Sequence, residues 1–242
     1  MCKYYVRIND STNLQRRSGA NVVLPSGFKE LSASVVSNCT YIQSLLQQII
    51  FVTHASELIE AKRTLKTFPN PKARIDFLCS YPYSEADPVI SAVFEYARLL
   101  FRDIYELRNT LSHEVWASSD TYEGSVLFSS LDQEAKLLMV SGRIWHNEEA
   151  TSQEAYDGMV QYIRSVKLVS LTGLEAAISD ANLCSWILMH IGNILNEPNA
   201  ERREDAKKLF LHFRGTSHLF GRDPLTSGTL TFSAKRSKEI RK

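Results

Sequence analysis

The sequence lacks the short signatures that announce the commonest activities. It has no Gly-rich phosphate loop, no G-x-S-x-G elbow and no paired-carboxylate motif, so kinase, serine-hydrolase and glycosidase readings have no support. Its four cysteines, Cys2, Cys39, Cys79 and Cys184, are scattered and make no C-x-x-C pair, which points to reduced thiols rather than a disulfide frame or a zinc site. Charge of one sign is missing as well: 28 Lys and Arg stand against 27 Asp and Glu. No overall field selects a partner, and any charged ligand must be recognised locally. Long apolar runs are absent, none reaching the ~18 residues that would span a bilayer, and Met1 to Arg7 contains no apolar leader core. The expectation is a cytoplasmic protein with no membrane partner, in which the sequons Asn9-x-Ser11 and Asn38-x-Thr40 carry no glycan. There is no internal repeat, and no linker-like stretch divides the chain around residues 120 to 150.

What is present is an ordinary globular composition, 242 residues of which 44% are apolar, enough for one large domain or two small ones. Residues 1 to about 25 read as a polar N-terminal arm that pairs locally as a strand at most. Apolar residues from Leu31 to Leu65 recur at helical spacing, as one long or two collinear helices over about 29 to 67, stopped by Pro69 and Pro71. A short helix is expected at about 71 to 80. Asp87-Pro88 then supplies an N-cap and a first-turn proline for a helix running to about 117. Ser125 to Leu131 and Leu137 to Trp145 read as two strands joined through Asp132-Gln133-Glu134, a hairpin over about 122 to 146. Thr151-Ser152-Gln153-Glu154 matches a capping box. Helical spacing follows from Ala155 to Ala177 and an apolar pattern from Leu183 to Leu195, up to Pro198, with a further helix over 200 to 213. Residues 214 to 242 form a basic tail. The expected fold class is mainly α: a helical bundle over 26 to 213 with an inserted β-hairpin.

The helix from 88 to 117 has two distinguishable faces. Val89, Val93, Ala97, Leu100, Ile104, Leu107 and Leu111 make a continuous core seam. With Arg108 set at zero on a wheel of about 100° per residue, Ser112, Asn109 and His113 fall at about 40°, 100° and 140°, while the seam centres near 300°. The polar quartet therefore faces away from the core. The same wheel puts Ile90, Phe94, Phe101, Tyr105 and Trp116 between about 0° and 80°, and large aromatics do not usually line a solvated stripe. Either another part of the chain covers them or a second copy does.

Arg108-Asn109-Thr110-Leu111-Ser112-His113, late in a long helix, resembles the R-N-x-x-x-H signature of HEPN domains. The resemblance covers about 30 to 118, and the hairpin departs from a plain HEPN bundle. It implies a HEPN-like, all-helical, usually dimeric protein that acts as a metal-independent RNase in toxin–antitoxin, phage-defence or RNA-processing settings. It implies Arg108 and His113 as the catalytic pair, Asn109 with Ser112 in support, and no cofactor. The implied partners are RNA, a second copy of the chain through Phe94, Phe101, Tyr105 and Trp116, and an antitoxin or regulatory protein. Non-catalytic HEPN-like adaptors that bind a protein or nucleotide are the alternative.

The residue types suit the chemistry. RNA carries its own nucleophile in the 2′-OH, so cleavage needs a proton acceptor that works near neutral pH and a group that stabilises charge on the phosphorane. Imidazole fits the first task, and guanidinium, a permanent forked phosphate binder, fits the second. Arg98 and Arg102 on the flank would extend a phosphate track, with Glu95 able to hold one of them. Lys235 and Arg236 in the tail would grip phosphates in a salt-dependent way. The alternatives are structural: Arg and His late in a helix also complement its C-terminal dipole, and flanking arginines are often solvated charges. His146, close to Arg143, is expected on a surface hairpin and His190 in helix packing. His54, His212 and His218 lack partners at metal-binding spacing, so no metal site is expected.

Overall fold

The computed structural model describes residues 2–8, 17–18, 22–53, 57–80, 87–145, 152–213 and 215–220. The chain is mainly helical, with α1 (Phe28–Thr53), α2 (Leu58–Thr67), α3 (Pro71–Cys79), α4 (Pro88–His113), α5 (Leu131–Trp145), α6 (Ser152–Ser165), α7 (Leu171–Asn196) and α8 (Ala200–His212). Among the described residues five short strands occur: β1 (Tyr5–Arg7), β2 (Arg17–Ser18), β3 (Val115–Ser118), β4 (Ser125–Ser129) and β5 (Lys167–Ser170). They form one sheet in the order β1-β5-β4-β3-β2, with every pairing antiparallel.

The mainly helical class with a β-hairpin is what the chain adopts, but the hairpin's strands are β3 and β4, which register Trp116 opposite Phe128. The segment expected as its second strand, Leu137 to Trp145, lies instead in α5. Ser130 explains the start of that helix: its Oγ and its carbonyl both accept from the Gln133 N–H, and its carbonyl accepts from the Glu134 N–H. A serine followed three residues later by glutamine is a capping pattern, which outweighs the ambiguous apolar spacing behind it. The helix expected to end near 117 stops at His113, so Trp116 stands on a strand and not on the helix wheel. The pattern expected to run as helix from 151 to 177 is broken by β5, whose Val169 pairs with both Tyr5 and Val126. Thr151 of the expected capping box lies outside the described residues.

Two compact units share the chain: Met1–Cys39 with Asp103–Ser179, and Thr40–Arg102 with Asp180–Lys242. The first contains the sheet. Behind it Ile8, Ala117, Leu127, Tyr162, Ile163 and Val166 form a buried cluster against which Leu137 and Leu168 pack. Gly173 serves a close approach here, since a Cβ at that position would lie 2.6 Å from the Tyr4 carbonyl oxygen. Gly124, at φ +76°, makes the left-handed turn into β4. The second unit is helical. Its aromatic packing joins Trp186 to Phe210, Phe213 and His190 at centroid distances of 5.6, 4.0 and 4.3 Å, and Lys207 from α8 pairs with Asp87 at the start of α4 at 2.5 Å. Among the described residues no helix is long and apolar enough to cross a membrane.

Candidate functional site

The start of α4 follows the sequence closely. Asp87 caps it, its carboxylate accepting from the N–H groups of Val89 and Ile90 at 3.0 and 3.1 Å. The seam Val93, Ala97, Leu100, Ile104, Leu107 and Leu111 is buried, which turns Arg108, Asn109, Ser112 and His113 towards another face. Arg108 and Asn109 are half-buried there, and Ser112 and His113 are exposed.

The structure brings three of the four motif residues together. The Arg108 Nη1 donates to Asn109 Oδ1 at 3.0 Å and lies 3.3 Å from His113 Nε2. Guanidinium has donors and no acceptor, so the second contact is a hydrogen bond only when Nε2 is unprotonated. Among the described residues Arg108 has no carboxylate partner, so its charge is not consumed by an ion pair. Ser112 makes no contact with the trio; it contributes only an exposed hydroxyl on the same turn.

The flank behaves differently. Arg98 donates from Nε and Nη2 to the two carboxylate oxygens of Glu95 at 2.8 and 2.5 Å, and its Nη1 lies 3.7 Å from Asp76. Hydrogen bonding to Glu95 raises its proton affinity further. An arginine held bidentately in this way is neutralised in place rather than offered to phosphate. Glu95 does hold an arginine, and Arg98 is the one it holds. Arg102 is half-buried. Lys235 and Arg236 lie outside the described residues.

The expected interface aromatics need correction. Phe94 and Phe101 are fully buried within the single chain, with 0% of either surface exposed. Trp116, half-buried on β3, packs its ring edge-on to Phe28 and Phe128 at 5.7 and 5.2 Å. Tyr105 is half-buried on α4.

A polar network beside the motif had no counterpart in the sequence pattern. Lys167 of β5 donates to Thr110 Oγ1 at 2.9 Å, pairs with Glu114 and lies 5.1 Å over the Tyr5 ring. The Tyr5 hydroxyl donates to Glu106. Burial first, and then the hydrogen bond to Glu106, push the Tyr5 phenol above its ordinary range, so it stays a donor. The hydrogen-bonded partners are 53 to 101 residues apart in the chain, and no local spacing signals such pairs. Cys2, in the same unit, is pushed up to about 12 by burial. The thiol form therefore prevails, and it is not a nucleophile. Among the described residues no group of three or more His, Cys, Asp or Glu is placed to hold a metal ion. No family model, no curated protein and no solved structure matches this chain.

Proposed function

We propose that Arg108 and His113 form the active centre of a metal-independent endoribonuclease, with RNA as substrate. The observation that carries the reading is the 3.3 Å approach of the guanidinium to the Nε2 of an exposed imidazole at the end of α4. His113 accepts the proton of a ribose 2′-OH as the O2′–P bond forms. Arg108 stabilises the charge that gathers on the phosphorane oxygens. The P–O5′ bond then breaks as the 5′-oxygen takes a proton from water, leaving a 2′,3′-cyclic phosphate and a 5′-OH end. Asn109 fixes the guanidinium through its amide oxygen, which limits the rotamers Arg108 samples before substrate arrives.

The HEPN resemblance, a role as a toxin or phage-defence effector, a cytoplasmic location and an antitoxin or regulatory partner belong to this same proposal. So does a homodimer, though it would have to be built without Phe94 and Phe101, which the chain buries itself. The test is digestion of mixed RNA by the purified protein in excess chelator, with the new ends identified. Cyclic phosphate and 5′-OH ends support the reading. An inert protein across structured and single-stranded RNAs would shift the weight to a binding module.

A further inference from the structure

We infer that Trp116 is a positioning residue for this site: its indole holds the last turn of α4 so that the His113 ring stays against the Arg108 guanidinium. The catalytic consequence rests on the ribonuclease reading above; the positioning itself does not.

An α-helix leaves its last four carbonyls without intrahelical donors, and its final turn is where it frays. His113 is the last residue of α4, so the place of its ring depends on what holds that turn. The Thr110 carbonyl receives the Glu114 N–H at 3.2 Å. The Leu111 carbonyl receives the Trp116 Nε1–H at 3.1 Å, from a residue that has already left the helix for β3. Trp116 can reach back because its ring is held by neighbours on other elements, Phe28 at the start of α1 and Phe128 on β4. It meets Phe28 at an interplanar angle of 81° and Phe128 at 63°. Both phenylalanines are fully buried, and Phe128 is its cross-strand partner. The sheet thus grips the helix end through one directed hydrogen bond. Lys167 adds a second tie to the same turn through Thr110 and Glu114. The contact that needs the grip is narrow: at 3.3 Å, a shift of about 1 Å removes it, and displacements of that size commonly cost about a hundredfold in rate.

The substitution that isolates the grip is Trp116→Phe, which keeps an aromatic ring between Phe28 and Phe128 and removes the N–H. The expected result is a kcat lowered about tenfold with KM within about twofold, since the chemistry loses alignment while substrate contacts stay. The second readout is the nitrogen NMR signal of the His113 ring. Its Nε2 resonance should move from a hydrogen-bonded towards a free acceptor value in Trp116→Phe. Should the phenylalanine variant fail to fold, benzothienylalanine at 116, which puts sulfur in place of N–H in a ring of the same shape, makes the same cut. Wild-type kcat together with a wild-type His113 ring spectrum overturns the inference. If the unaltered protein cleaves no RNA, the ribonuclease reading falls by itself and the ring spectrum alone decides the positioning.

Discussion

Arg98 and Arg108 stand on one helix, and both have the residue type that a phosphate site requires, yet their surroundings differ. Arg98 is gripped by both oxygens of Glu95 and lies near Asp76. Arg108 faces an amide oxygen and an imidazole nitrogen. The histidines divide in the same way. His190 lies in an aromatic cage with Trp186 and Phe210, whereas His113 is exposed at a helix end. The pairs teach that residue type nominates a site and surroundings decide it. A cation already matched by a carboxylate and a ring already packed among aromatics serve the fold, while an unmatched cation beside an accessible base is free to meet a substrate.

The comparison breaks most severely at Phe94. If the first half of α4 is consumed by the fold, Phe94→Asp should destabilise the protein by about 4 kcal/mol or more, because it puts a carboxylate in a fully buried ring site. Denaturant unfolding measures this. A variant of nearly unchanged stability that merely loses a dimeric mass would place the ring between copies of the chain instead.

A smaller effect sharpens the histidine half. Burial lowers the proton affinity of His190 in the folded chain, so the unfolded chain binds more protons once the ring can titrate. The stability this neutral ring supports is complete above the ordinary imidazole range and is lost as pH falls through it. Denaturation midpoints should fall from about pH 7.5 to about pH 5, and His190→Phe should flatten that slope. An unchanged slope would remove His190 from the account. The smallest effect belongs to Arg98→Ala, expected to alter RNA cleavage by less than about threefold since its charge is matched in place. A hundredfold loss would make Arg98 a substrate ligand.

Much of the fold was legible because its signals are local. The Asp87-Pro88 start, the α4 seam and the helix at 200 to 212 all follow from caps and spacing within one element. The misread segments are those whose state depends on distant partners. Lys167 to Ser170 satisfies a helical count until β1 and β4 claim it as a strand, and Trp116 extends the wheel until Phe128 pairs it into the sheet. The segment at 137 to 145 is different, since Ser130-x-x-Gln133 was a readable cap that the hairpin reading passed over. For the site, a five-residue separation on a helix was enough to bring Arg108 to His113. The Trp116 and Lys167 ties were not readable, because they depend on which strand returns to the helix end.

The central claim is that Arg108 and His113 act as one catalytic pair without a metal. Arg108→Ala and His113→Ala, shown by circular dichroism and denaturant unfolding to keep the fold, are to be compared with the unaltered protein on the same RNA in excess chelator. The account predicts that each loses at least about a hundredfold in rate, the scale of a lost general base or charge stabiliser, and that the unaltered protein leaves cyclic phosphate ends. Cleavage at the unaltered rate by both folded variants would contradict it.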